Sequence, residues 1–230
     1  MARGPVATAS WRPRTSSGTA IAGKSENMIR SLLRKVTRKP NSRGQALVEF
    51  AFVFPLFMVL LVAVIEYGFL LNANLASSYA TRDASLVAAE AGSASGSDCA
   101  ILKKIEDDIN GPSDPRNITN VQIYWADQVT GAEKPGFVNT YVRSTSQTVS
   151  CLVGGVAFTL PYIDPVSKPY LETTRCNVIN GCPGHPGLDT IGVQITYNYT
   201  WHTPLKSLLG FTGTGWTVVK SNAMEMEPIL

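Results

Sequence analysis

Two groups of residues in this sequence have types and spacings that invite a chemical reading. The first is Arg43-Gly44-Gln45-Ala46-Leu47-Val48-Glu49-Phe50, where a basic residue and a glycine stand a few positions before a carboxylate. From Phe50 to Ile65 every residue is apolar, Pro55 included. An ionised group at one end of a bilayer-length apolar helix is costly, so Glu49 calls for a function. A glycine ahead of such a helix permits an extended, protease-accessible backbone. A cut after Gly44 would free an amino terminus on Gln45, with Glu49 four residues on. That spacing is too tight for a comfortable ion pair within one straight helix. Between staggered neighbouring helices, the ammonium of one chain and the Glu49 carboxylate of the next neutralise each other in hydrocarbon and set the register. The plainer alternative leaves Glu49 at headgroup level.

The second group is the cysteines and histidines. Cys99, Cys151, Cys176 and Cys182 are even in number and all follow the apolar run. In an exported domain they read as two disulfides, with three pairings open. The preferred one joins Cys176 to Cys182 across a short Pro/Gly-rich loop, and Cys99 to Cys151, pinning a helical region to a sheet. His185 and His202 fit no HExxH, Ser/His/Asp or paired-ligand pattern. Cys176, Cys182 and His185 make an incomplete zinc set, because a fourth ligand is missing and exported cysteines oxidise. The glycines of 210–215 lack a phosphate-loop lysine and read as a turn. No catalytic residue, cofactor or metal is expected. Asn117-Ile118-Thr119 and Asn198-Tyr199-Thr200 fit the N-glycosylation pattern. Glu66, near the far end of the apolar run, reads as interfacial, with its carboxylate reaching lipid headgroups.

These groups need elements to position them. The chain has 230 residues and a net charge of +3, but the charge is divided unevenly. Residues 1–44 carry ten Lys and Arg against Glu26 alone, net +9, which leaves −6 on the other 186. A basic flank before an apolar helix stays in the cytoplasm, which accounts for this charge better than nucleic-acid binding does. The expected organisation is a basic, mostly disordered cytoplasmic leader at 1–44, with an amphipathic turn at 28–36, and a transmembrane helix at 45–71. An exterior helical region at 72–110 and an exterior β-rich domain at 111–230 follow. The run 46–71 is long enough to cross a hydrocarbon core of about 30 Å with some tilt. Asn72-Ala73-Asn74-Leu75-Ala76-Ser77-Ser78 offers no signal-peptidase site.

The helix is expected to continue to Ala91, since 72–91 holds no Pro or Gly, with Leu71, Leu75, Tyr79 and Leu86 near a common side. Its small residues Ala73, Ala76, Ser77, Ala80, Ala84 and Ala88 suit close helix approach, or packing on the chain's own sheet. Residues 99–109 form a short amphipathic helix. Strands are expected at 120–126, 137–143, 149–158, 190–201 and 216–226, a helical turn at 205–209, and a Pro-rich recognition loop at 161–187. The strand at 190–201 is the clearest, alternating Ile191, Val193, Ile195, Tyr197, Tyr199 and Trp201 with smaller or polar residues. The fold class is α+β: a long N-terminal transmembrane helix running into an exterior domain with a mainly antiparallel sheet.

Arg43 to Ala51 as written above, Pro55 inside the run and Ile65-Glu66-Tyr67-Gly68 at its end resemble the TadE-like family, small pilin-like proteins of tight-adherence (Flp-type) pilus systems. The likeness covers about 43–91, with a weaker echo in Val193-Gln194-Ile195-Thr196-Tyr197-Asn198-Tyr199 and Asn222-Ala223-Met224-Glu225-Met226-Glu227. It implies a prepilin peptidase cutting between Gly44 and Gln45, with Glu49 and Phe50 serving assembly and register. It also implies other pilins and pseudopilins, an inner-membrane assembly platform and membrane lipid as partners. The place implied is the bacterial cytoplasmic membrane, leader inside and C-terminal domain outside, or the fibre itself. A domain this large suits a minor pseudopilin better than a major pilin. The competing class is an unprocessed single-pass protein whose exterior domain binds a ligand or surface.

Overall fold

A computed structural model describes residues 42–210, 212–213 and 215–228. The leader expected at 1–44 and its amphipathic turn at 28–36 lie, up to residue 41, outside the described residues. The first element is a 50-residue helix, α1 (Ser42–Ala91), with Pro55 inside it. Its start at Ser42 puts Gly44 within the helix, a correction to the extended glycine expected before it. By internal contacts the chain divides after Pro55 into one unit, Met1–Pro55, and a second, Leu56–Leu230. The stretch Gly44–Ala91 is long and apolar enough to cross a membrane, with a mean hydropathy of 2.7 in its most apolar window and none of that window buried.

From Glu66 onward α1 changes character. Glu66, Ala73, Ala76, Ser77, Ala80, Thr81, Ala84, Ser85, Ala88 and Ala89 are buried, at the three- and four-residue steps of one helix face. The hydroxyls on this face are satisfied inside the helix: Ser77 donates to the Ala73 carbonyl at 2.8 Å and Thr81 to that of Ser77 at 3.0 Å. They are therefore buried at little cost. The small side chains offered for approach between helices are thus used on the chain's own domain. The opposite face, with Leu71, Leu75, Tyr79 and Leu86, is exposed.

Helix α2 (Ser97–Ile109) buries Ile101, Leu102, Ile105 and Ile109. It starts at Gly96, whose φ of 87° suits glycine. A side chain there would also meet the Leu152 carbonyl oxygen 2.7 Å away. The strands are β1 (Ile118–Ala126), β2 (Glu133–Arg143), β3 (Val149–Val153), β4 (Val156–Leu160), β5 (Tyr162–Ile163), β6 (Thr190–Thr200) and β7 (Gly215–Glu225), with a one-turn helix α3 (Leu205–Leu209) between the last two. Five form a sheet in the order β5-β2-β1-β6-β7, antiparallel throughout. The architecture is the α+β one indicated by the sequence. The strand expected at 149–158 is instead a separate hairpin, β3 with β4. Gly154 and Gly155, both at positive φ, make the two-residue reversal that a single strand cannot contain.

The core lies between the sheet and the two long helices. Ile191, Val193, Ile195, Tyr197 and Tyr199 of β6 form one buried cluster with Ala73, Ala80, Ala84 and Ala88 of α1 and with Ile101 and Ile105 of α2. The register sets Val121 beside both Tyr141 and Ile195. On the other face Gly192 is needed because the Tyr124 ring occupies the space: a β-carbon there would lie 2.2 Å from it. After β7 the chain is tied back through the Met226 amide to the Asp189 carbonyl and the Glu227 amide to that of Ala89.

Candidate functional site

The residues singled out near the start of α1 lie on its first turns, with 44–50 exposed throughout. Nothing stands within 4 Å of where a β-carbon on Gly44 would be. The Gln45 side-chain amide donates to Glu49 Oε1 at 3.2 Å, as residues four apart on a helix can. The rings of Phe50 and Phe54 are 5.2 Å apart. Here a carboxylate, a side-chain amide and a glycine share the exposed first turns of the helix.

Glu66 corrects an expectation. Its side chain does not reach out to an interface; it is buried, 2% exposed, in a socket at the end of β6. Three donors close on the carboxylate: the Tyr199 hydroxyl, the His202 amide at 3.1 Å and the Thr203 amide at 2.8 Å. A buried carboxylate is tolerable when its oxygens are filled in this way. The alternation in β6 puts Tyr199 on the same face as Ile191 and Ile195, toward α1. The chain then turns through His202 and Thr203 so that two consecutive amides point at one anion. His202 also packs its ring 5.0 Å from that of Phe69.

A second buried cluster fixes the 161–189 loop to the domain. Asp98, at the start of α2, pairs with Arg175, and the two side chains are 2% and 0% exposed. Asp98 Oδ2 also accepts from Asn139 at 3.0 Å and from the Tyr141 hydroxyl at 2.7 Å. Asn139 donates to the Tyr170 carbonyl at 2.7 Å, and the Tyr170 hydroxyl donates to Asp189 at 3.0 Å. Glu172 of the same loop caps α2, accepting the Gly96 and Asp98 amides at 2.6 and 2.8 Å. Four phenols in the domain face carboxylates in this manner: Tyr141 with Asp98, Tyr162 with Glu106, Tyr170 with Asp189, and Tyr199 with Glu66. Burial raises the pKa of each above the ordinary phenol range, and the facing carboxylate adds to it.

The cysteine sulfurs come together as Cys99 with Cys151, 2.07 Å apart, and Cys176 with Cys182, 2.11 Å apart. The first pair joins α2 to β3; the second closes a turn within the loop. The two histidines have separate settings. His185 Nδ1 is 2.7 Å from Asp189 Oδ1, and its ring stacks on Trp125 at 4.5 Å. Among the described residues, no group of three or more His, Cys, Asp or Glu side chains could hold a metal ion. Sequence reading missed the Glu66 socket and the Asp98–Arg175 pair. The available signal for the former was a lone carboxylate in Ile65-Glu66-Tyr67-Gly68 together with a tyrosine on the inward phase of β6.

Compared with known proteins, residues 44–86 match the family model described as TadE, TadE-like protein. No curated protein and no solved structure matches the chain. The matched stretch begins at Gly44, runs through Glu49 and Glu66, and ends at Leu86, on the exposed face of α1.

Proposed function

We propose that this chain is a minor pilin-like subunit, a pseudopilin, of a tight-adherence type pilus. The TadE-like match and the exposed apolar half of α1 support a membrane-anchored protein associated with such a pilus. In the finer reading, a prepilin peptidase removes the basic leader by cutting between Gly44 and Gln45. The new ammonium on Gln45 then pairs with Glu49 of a neighbouring subunit, where unpaired charges in hydrocarbon are costly. Before cleavage the Gln45 side-chain amide supplies a weaker neutral partner within the chain. Phe50 stands beside this charge on the packing surface.

The reading rests most on one observation: the matched stretch contains both the exposed Gly44–Glu49 constellation and the helix that carries the folded domain. Above the apolar run, the face of α1 left for contact with other subunits is the exposed stripe of Leu71, Leu75, Tyr79 and Leu86. The leader stays in the cytoplasm, the domain faces out, and the work is assembly, with other pilins and the membrane platform as partners. The subunit is itself no enzyme; its chemistry is done on it by the peptidase. Mass spectrometry of the amino terminus of membrane-extracted protein tests this. A terminus at Gln45 is expected, and an intact leader overturns the processed-subunit reading in favour of an unprocessed single-pass protein.

A further inference from the structure

The end of the domain beside Glu66 bears an apolar surface that the assembly reading does not use. Ala63, Glu66 and Tyr67 of α1, Trp201, Leu205 and Leu209 of the β6–β7 connection, and Trp216 of β7 surround a pocket of ≈ 250 Å³ whose exposed lining atoms, the bonded Glu66 carboxylate aside, are apolar. The Trp201 and Trp216 rings lie 4.9 Å apart. Tyr67, Leu208, Leu209 and Trp216 are each about half exposed or more, at 60%, 64%, 50% and 49%. Lys206 belongs to the same short helix α3 as Leu205, Leu208 and Leu209.

We infer that this surface is seated in the headgroup region of the membrane leaflet on the side of the folded domain, with lipid as its occupant. Three observations support that occupant. First, the surface is continuous with the apolar run of α1: Ala63 belongs to both, and Val64 and Ile65 beside it are exposed. Second, the length of the run before it agrees with that place. Residues 46–65 number twenty, which at the α-helical rise span about 30 Å, one hydrocarbon core. Glu66 is the first charge after them, and its bonds to Tyr199, His202 and Thr203 hold 199–203 at that level. Third, the composition fits. Tryptophan and tyrosine concentrate where an apolar body meets a wet boundary, and a lysine there finds anionic headgroups. The membrane core on this inference is 46–65, six residues shorter than the apolar stretch 46–71.

The inference rests on the membrane-anchored reading and is indifferent to whether the leader is cut. The test is depth-resolved quenching of tryptophan emission from the full chain in phosphatidylcholine–phosphatidylglycerol vesicles carrying spin-labelled lipids. Trp11→Phe with Trp125→Phe leaves Trp201 and Trp216 as emitters. Their emission should be quenched more by a label near the glycerol backbone than by one near the bilayer centre, and little by aqueous iodide. Trp201→Phe with Trp216→Phe, made in the Trp11→Phe chain so that Trp125 alone emits, should abolish the lipid quenching. Strong iodide quenching without lipid quenching overturns the inference, as does protection from both, which would mean that protein covers the surface. Lipid quenching that survives the second variant also overturns it. Protein released from vesicles by alkaline carbonate overturns the anchored reading along with it.

Discussion

The Thr203 amide donates a 2.8 Å hydrogen bond to the carboxylate of Glu66, 137 residues earlier in the chain. With the Tyr199 hydroxyl and the His202 amide on the same group, it forms a polar lock between α1 and the far end of the sheet. Glu66→Ala leaves a buried phenol and two partly buried amides without their acceptor, a loss of about 1–3 kcal/mol. Glu66→Gln keeps one acceptor but turns an NH₂ group toward donors, so it recovers only part of this. Urea unfolding of the detergent-solubilised protein should rank wild type above Gln and Gln above Ala. Equal midpoints for all three would mean that the socket does not hold the helix.

Arg175 and Asp98 carry the same logic deeper into the domain. Both are essentially inaccessible to solvent, and Arg175 comes from the 161–189 loop. Arg175→Met strands a buried carboxylate, which costs about 3–5 kcal/mol, more than the intact pair itself contributes. The double variant Arg175→Met with Asp98→Leu removes both charges and should regain part of the loss. The expected readout is faster proteolysis within 161–189 in the single variant, reduced in the double one. A single variant as resistant as wild type would show that the pair does not tie down the loop.

The four tyrosine–carboxylate pairs make a pH prediction. Folding raises the pKa of Tyr141, Tyr162, Tyr170 and Tyr199, first by burial and then by the facing carboxylate. A raised folded-state pKa gives stability that is complete below the unfolded value of about 10 and is lost as pH rises toward the folded one. Stability should therefore fall above about pH 10, with these phenols ionising as the domain unfolds. Ultraviolet titration run alongside circular dichroism checks this. Full phenolate formation while the fold persists would contradict it.

The two cystines differ in the loops they close, with sequence separations of 52 and 6. On chain entropy, losing the long one costs about 4 kcal/mol and the short one about 2. Cys99→Ser with Cys151→Ser should lower the unfolding midpoint more than Cys176→Ser with Cys182→Ser. Non-reducing peptide mapping should recover the same two pairs. Any other linkage overturns the arrangement.

What the sequence made legible was whatever a local period encodes. The alternation of β6 marks Ile191, Val193, Ile195, Tyr197 and Tyr199 as one face, and all five are buried. The lack of Pro and Gly between Asn72 and Ala91 marks the continued helix, and the structure carries it to Ala91. The hairpin at 149–158 was hidden because Val153 and Val156 flank two glycines that a β-rich reading passes over. Glu66 and Arg175 were hidden for another reason. Each is explained by a partner 77 or more residues away, and a period says nothing about distant partners. The stripe of alanines was ambiguous for a third reason, since small side chains suit a neighbouring helix and a sheet equally well.

That ambiguity supplies the sharpest test of assembly. Ala80 and Ala84 are inaccessible inside the domain, whereas Leu75 and Tyr79 on the other face are more than half exposed. Leu75→Glu with Tyr79→Glu should therefore leave folding, membrane insertion and cleavage intact while impairing pilus formation. Ala80→Leu should instead overpack the core and lower the amount of folded protein. Glu49→Ala probes the same step from the other end of the helix: expression and cleavage preserved, fibres lost. Counting fibres by electron microscopy beside amino-terminal mass spectrometry separates these classes. Normal fibres with Glu49→Ala remove its register role, and normal fibres with the Leu75/Tyr79 variant remove the stripe as a packing seam. A seam needs both a surface that the fold leaves open and a charge that a neighbour must answer, so the two losses are expected together.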